Sequence, residues 1–159
     1  MSSHKTNAAR ILDKANIQYD LIEYEVDEND LSATHLSNQL GIPANQTFKT
    51  IVLRGDKKGV FVAVIPGDHE VNLKLAANVS GNKKAETIAV KELLPLTGYI
   101  RGGCSPIGMK KNYPIYLDEQ ALIHHHIHVS AGQRGLQLKI TPADLIKAVN
   151  AVVYNMTII

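Results

Sequence analysis

Apolar and polar positions alternate along this chain with two different periods. Residues 6–16 place Ala8, Ala9, Leu12 and Ala15 at helical spacing, which predicts a first amphipathic helix. Residues 19–26 read as a strand. Ser32 is placed to cap a helix whose inner face holds Leu36 and Leu40, and Gly41 with Pro43 stops it. Residues 47–53 and 60–65 are β-rich runs separated by Arg54-Gly55-Asp56-Lys57-Lys58-Gly59, so a hairpin with a medium loop is expected. Helices follow over residues 73–79, ending near Gly81, and over residues 89–94, stopped by Pro95 and Gly98. Strands are expected near residues 115–117, 127–130 and 136–140. Thr141-Pro142-Ala143-Asp144 opens a last helix, which runs to about Ala151 with proline in its first turn. Without a regular βαβ beat, this order predicts an α+β fold with a largely antiparallel or mixed sheet.

Composition narrows the class. The chain has 159 residues, 45% hydrophobic and 20% charged, enough for one domain over 1–159 with a real core. No apolar run reaches the roughly 20 residues of a membrane span, and Met1-Ser2-Ser3-His4-Lys5 lacks the apolar stretch of a signal peptide. A single cysteine excludes an internal disulfide and suits a reducing compartment, so the cytoplasm is the expected location. A net charge of +2 does not announce a nucleic-acid binder. The local pairs Lys83-Lys84 and Lys110-Lys111 read either as solvated surface or as a few phosphate contacts, weak and salt-sensitive.

Candidate chemistry concentrates in Gly98-Tyr99-Ile100-Arg101-Gly102-Gly103-Cys104-Ser105-Pro106-Ile107-Gly108-Met109-Lys110-Lys111. Gly102 and Gly103 admit backbone conformations closed to other residues and leave room beside the main chain. Pro106 fixes its own φ and biases Ser105 towards an extended form, so the loop is stiff. Such a loop aims N–H groups and a hydroxyl at one point, as a carbonyl or phosphate oxygen requires; a plain turn between strands is the alternative. It matches neither a P-loop nor a dinucleotide-binding glycine motif. Ser105 lacks the G-x-S-x-G surroundings of a nucleophile. Lys49, opposite Phe48 and Thr50 by strand alternation, either snorkels to water or enters a polar cleft. If His124-His125-His126-Ile127-His128 is a strand, His124, His126 and His128 share one face, yet no further ligand cluster completes a metal site. Asp27, Glu86 and Asp144 are the carboxylate candidates, and their spacing makes no dyad.

The glycine/Ser-Pro run resembles the signature of the YbaK/EbsC family, free-standing relatives of the editing domain of bacterial prolyl-tRNA synthetases. Glu23-Tyr24-Glu25, Phe48-Lys49-Thr50, Val71-Asn72-Leu73-Lys74, Lys83-Lys84-Ala85-Glu86 and Ser130-Ala131-Gly132-Gln133-Arg134-Gly135-Leu136 match in the same order. The resemblance runs from about the first helix to Asp144-Leu145. It implies a curved, barrel-like mixed sheet wrapped by helices, with a substrate cleft at one mouth. It also implies a trans-editing hydrolase that removes a wrong amino acid from tRNA, above all cysteine from tRNA(Pro), without a cofactor. Other cargo such as alanine, or a non-catalytic tRNA- or nucleotide-binding module, are the alternatives. Prolyl-tRNA synthetase is an open partner, and no membrane is implied.

The resemblance assigns Lys49 to the terminal adenosine or its phosphate, and Gly102, Gly103 and Ser105 to the ester carbonyl or ribose. Tyr24, Phe48, Thr50, Pro106, Lys83, Lys84, Lys110, Lys111 and Arg134 are then expected to bind substrate. For a cysteinyl substrate, the family pattern implies attack by the substrate's own thiol. Cys104 stands where the family commonly has an aliphatic residue and is expected to be structural. The family has no histidine tract at His124–His128, so no metal is implied. Relatives can carry an acidic residue where this chain has Gln137.

Overall fold

Side-chain oxygens open most of the helices in the computed structural model, which describes residues 5–158. Met1 to His4, read above as free of an apolar run, lie outside the described residues. Thr6 accepts the Ala9 N–H at the start of α1 (Asn7–Lys14), whose Ala8, Ala9 and Leu12 are buried. A four-residue β1 (Asp20–Glu23) follows, shorter than the strand expected over 19–26. Ser32 caps α2 (Ala33–Leu40) through the His35 N–H, and Gly41 ends it with a left-handed φ of 68°. The buried residue of α2 is Ser37, whose hydroxyl bonds back to the Ala33 carbonyl; the expected inner pair Leu36 and Leu40 is only half-buried.

The hairpin forms as β2 (Phe48–Gly55) and β3 (Gly59–Pro66), in register from Phe48 opposite Pro66 to Gly55 opposite Gly59. Its loop is tighter than expected because Asn82 Oδ1 accepts the N–H groups of both Lys57 and Lys58. Gly55 is required beside it: a Cβ there would stand 2.1 Å from Asn82. Next come β4 (Glu70–Val71), α3 (Leu73–Val79), β5 (Ala85–Thr87) and α4 (Val90–Thr97). The α4 helix does not stop at Pro95. One missing N–H falls in the last turn, where Thr97 Oγ1 bonds the Leu93 carbonyl and Tyr113 the Leu96 carbonyl, and Gly98 closes the helix.

Strands β6 (Ile115–Asp118), β7 (Ile127–Ser130) and β8 (Leu136–Ile140) precede α5 (Pro142–Val149), capped by Thr141. The chain then adds β9 (Val152–Tyr154) and β10 (Thr157–Ile158). The short β4, β5, β9 and β10 carry too few residues for a period to show in sequence. The histidine tract is not one strand: His124 ends a 3-10 turn over Glu119–Ile123, and β7 begins only at Ile127. The shared face expected for His124, His126 and His128 therefore does not form.

The strands make a five-stranded mixed sheet (β5-β2-β3-β6-β9), a three-stranded antiparallel sheet (β1-β8-β7) and a β10-β4 ribbon. The fold is α+β with a mixed sheet, as expected, but the sheet is open and no barrel closes. The two larger sheets touch through a parallel bridge between Thr47 and His128. Between them lies one core, with Phe48, Val52, Val62 and Val64 facing Ile127, Val129, Leu138 and Ile140. On the other face of β3, Phe61, Ala63 and Ile65 pack with Leu53, Ala76 and Met156. Burial on both faces explains the unbroken apolar run of β3.

Candidate active site

The seam between the two larger sheets opens into a cleft of about 490 Å3. Thr47, Phe48, Lys49 and Thr50 of the β2 end form one wall, and Ser130 with Gln137 of β7 and β8 another. The latter two stand opposite each other in register. Gly67 and Asp68 and the start of α2 border the opening, and Arg101, Gly102 and Cys104 bring in the glycine loop. Gly67 is held against the wall: its N–H donates to the Thr47 carbonyl at 2.7 Å, and a Cβ would come within 2.8 Å of that oxygen.

Strand alternation sets Lys49 apart from its neighbours. Phe48 is 3% exposed in the core, while the Lys49 side chain is 26% exposed on the cleft. Its ammonium donates to the Gly67 carbonyl at 3.4 Å and lies 3.9 Å from the exposed Glu70 carboxylate. Both contacts are long and leave the cation free for a ligand.

The glycine loop is stiff for reasons only partly legible in its sequence. Tyr99 Oη donates to the Ile107 carbonyl at 2.5 Å, tying its two ends. Burial, reinforced by the neighbouring Cys104, pushes the Tyr99 phenol up to about 12. Arg134 donates to the Arg101 carbonyl at 2.8 Å and to Glu28 at 2.9 Å, so it struts the loop from β8's approach. Sequence reasoning did not single out Tyr99 as a strut.

The two central glycines differ in role. Gly102, at φ 84°, lines the cleft, and its N–H finds no acceptor among the described residues. Gly103 is buried; its N–H is spent on the Ile100 carbonyl, and a Cβ there would meet the Arg134 backbone nitrogen at 2.9 Å. It serves packing, where ligand contact was expected. Ser105 is also displaced from the expected role: it is fully buried, outside the cleft lining, and its hydroxyl accepts the Ile107 N–H.

The remaining expected binding residues divide by place. Phe48 and Thr50 line the cleft with Lys49. Tyr24 extends β1 through its N–H to the Gly135 carbonyl and is not among the lining residues. Pro106 and Lys111 border a different hollow with Ile107 and Tyr113, and Lys110 reaches back to the Pro95 carbonyl. Lys83 and Lys84 border a third hollow with Arg54 and Lys74, their N–H groups held by Asp56. The structure thus brings Phe48, Lys49, Thr50 and Gly102 together and leaves the other candidates around them.

No nucleophile–base pair lines this cleft among the described residues. Burial pushes the Cys104 thiol up to about 12, a hydrogen bond with Thr97 offsetting it slightly, so the sulfur is protonated and inert. Asp27 pairs with His35 at 3.0 Å, Asp144 opens α5, and Glu86 lies on β5. The acids of the cleft are Asp68 and Glu70, which sequence reading missed because nothing in their spacing ties them to Lys49. Asp68 is paired with His69 at 2.7 Å. No group of three or more His, Cys, Asp or Glu side chains among the described residues could hold a metal ion. No helix among them is long and apolar enough to cross a membrane.

Comparison with known proteins converges on one family. Residues 27–148 match the aminoacyl-tRNA editing domain. The chain is 46% identical, over 149 residues, to a protein of Enterococcus faecalis provisionally named Cys-tRNA(Pro)/Cys-tRNA(Cys) deacylase EbsC, covering 94% of this chain and 91% of the relative. It is 33% identical over 87 residues to a proline–tRNA ligase of Cupriavidus necator, covering 53% of this chain and 15% of the ligase. A crystal structure described provisionally as a trans-editing enzyme for prolyl tRNA synthetase superposes with a TM-score of 0.81. The two are 22% identical, and the match covers 98% of this chain and 99% of that one, a likeness of fold. With its fold, its cleft and these matches in agreement, the chain belongs to the aminoacyl-tRNA editing domain family.

Proposed function

We propose that the protein is a trans-editing deacylase that hydrolyses mischarged tRNA, with Cys-tRNA(Pro) as its substrate. The observation that carries this reading is the make-up of the cleft: an ammonium at Lys49 with only long contacts, an unengaged backbone N–H at Gly102, and a Cys104 thiol that burial keeps protonated. An aminoacyl ester is already labile, so positioning and oxyanion stabilisation supply rate without a protein nucleophile. Lys49 holds the terminal adenosine or its phosphate, Phe48 and Thr50 shape the wall beside it, and the Gly102 N–H polarises the ester carbonyl. Exposed Lys83, Lys84, Lys110 and Lys111 contact the tRNA backbone, weakly and with strong salt dependence.

For a cysteinyl ester, the substrate's own sulfur attacks its carbonyl carbon. The C–S bond forms, the bond to the ribose oxygen breaks, and that oxygen takes the thiol proton. Water then opens the resulting thiolactone to free cysteine. The similarity to a relative named for Cys-tRNA supports this cargo, and the partial match to a proline–tRNA ligase supports tRNA(Pro) charged by that synthetase as the source. A protein working on this substrate belongs in the cytoplasm.

The test is a panel of Cys-, Ala- and Pro-tRNA(Pro) incubated with substoichiometric protein. Multiple turnovers on Cys-tRNA(Pro) are expected. Faster release of alanine would reassign the cargo, and binding without hydrolysis would make the protein a binding module.

A further inference from the structure

Two turns of the same make-up meet at the β5 edge of the five-stranded sheet. Asp56-Lys57-Lys58 joins β2 to β3, and Asn82-Lys83-Lys84 leads from α3 into β5. Each turn is held by the first residue of the other. Asn82 Oδ1 accepts the N–H groups of Lys57 at 3.0 Å and Lys58 at 2.7 Å. Asp56 Oδ1 accepts those of Lys83 at 3.0 Å and Lys84 at 3.2 Å. Asn82 is itself buried, and its amide donates to the Ser80 hydroxyl at 2.8 Å, which anchors the clamp in the fold.

The clamp fixes four lysine backbones side by side and leaves their ammonium groups unpaired. Lys57, Lys58, Lys83 and Lys84 are exposed, and the Lys58 stem lies against Gly81 of the second turn. Lys74, at the start of α3, shares a hollow of about 620 Å3 with Lys83 and Lys84. None of these five lysines makes an ion pair among the described residues. The acids of the hollow are Asp56, engaged in the clamp, and Glu86, while its Arg54 is bound to Glu92 at 2.9 Å. Like charges gathered on a rigid edge repel one another and oppose folding, and a bound polyanion removes that cost.

Lysines are point charges on flexible stems, suited to phosphates met without regard to base sequence. The cluster also continues the cleft. Strand β2 carries Lys49 on the cleft at one end and Gly55 on the hollow at the other, about 20 Å away. We propose that the two clamped turns, with Lys74, form a docking platform for the phosphate backbone of the tRNA acceptor arm, whose 3′ end then runs along β2 into the cleft. This rests on the reading that tRNA is the substrate. It adds Lys57, Lys58 and Lys74 to the contact surface and makes Asp56 and Asn82 the residues that build it.

The probe is uncharged tRNA(Pro), its binding followed by fluorescence anisotropy over a range of salt. The pair Lys57→Gln with Lys58→Gln, and the pair Lys83→Gln with Lys84→Gln, should each weaken binding at least about fivefold at about 50 mM salt. Each pair should also flatten the salt slope by roughly 1.4–1.8, the contribution of two phosphates. Lys14→Gln with Lys139→Gln removes the same charge from α1 and β8 and should change affinity less than about twofold. Asp56 separates a built platform from diffuse charge. Asp56→Asn keeps the acceptor oxygen and loses the negative charge, so binding should hold or tighten. Asp56→Ala loses the same charge but releases Lys83 and Lys84, and binding should weaken. Unchanged binding in both lysine pairs, an equal loss in the Lys14 and Lys139 variant, or tighter binding by Asp56→Ala overturns the platform. Single-turnover hydrolysis of Cys-tRNA(Pro) is measured on the same preparations, where the lysine pairs should raise the half-saturating protein concentration and leave the rate at saturation unchanged. Platform-dependent binding without hydrolysis by the parent keeps the platform and removes the deacylase; hydrolysis with binding indifferent to both lysine pairs does the reverse.

Discussion

Lys49 stands between a core phenylalanine and a cleft threonine, with only long contacts to Gly67 and Glu70. It contributes little to folding, so Lys49→Ala should leave the melting temperature within a few degrees while lowering single-turnover deacylation by about a hundredfold or more. Activity within a few-fold of the parent would remove Lys49 from the site. Cys104 makes the opposite case. Its thiol is held protonated by burial, so Cys104→Ser should keep deacylation within a few-fold. A folded but inactive serine variant would demand a cysteine nucleophile. Sequence could name both residues but could not weigh them, because burial and partner distances decide which one is available.

At the scale of the element, the glycine loop separates two neighbours that look alike in sequence. A Cβ on Gly103 would meet backbone atoms of Gln133 and Arg134 at 2.9–3.0 Å, which cannot move aside like a side-chain tip. Gly103→Ala should therefore lower stability by about 2–3 kcal/mol, read as a fall in the thermal midpoint, with activity lost mainly through unfolding. A Cβ on Gly102 would meet no backbone, only the Leu31 side-chain tip and the Arg134 Nε at 3.3 Å, at a left-handed φ. Gly102→Ala should cost about 1–2 kcal/mol in strain yet slow turnover about tenfold to a hundredfold by shifting the cleft-facing N–H. Comparable melting and turnover losses in both variants would erase the distinction. The loop's glycines, proline and serine were legible in sequence; its struts, Tyr99 and Arg134, were not, because each acts across the fold.

For the whole molecule, the seam that opens the cleft also buries His128 beside the bridge to Thr47. Burial, helped by the charges of Lys139 and His126, lowers its imidazole from 6.5 to about 4. The unfolded chain takes a proton there below about pH 6.5, whereas the folded protein resists it down to about pH 4. Stability is thus full above pH 6.5 and falls as pH drops through that window, by up to about 3 kcal/mol. Thermal unfolding of the parent and His128→Gln between pH 7 and pH 4.5 checks this. The variant should show a shallower loss, and parallel curves would place the titration elsewhere.

The sequence by itself determined the main helices, their caps, the central hairpin, the α+β class and the loop that carries the glycines. All of these depend on residues near one another in the chain, where period, capping oxygens and backbone freedom act directly. Four short strands, the open sheet and the passage of α4 through Pro95 depend on partners supplied from far away. The same division runs through the site. Phe48, Lys49, Thr50 and Gly102 were named in advance, but only the tertiary structure set them around one cleft. It also turned Ser105, Gly103 and Arg134 into supports and brought Thr47 and Gln137, ninety residues apart, to the same cleft. Local sequence fixes what a residue can do; the packing of distant elements fixes what it faces.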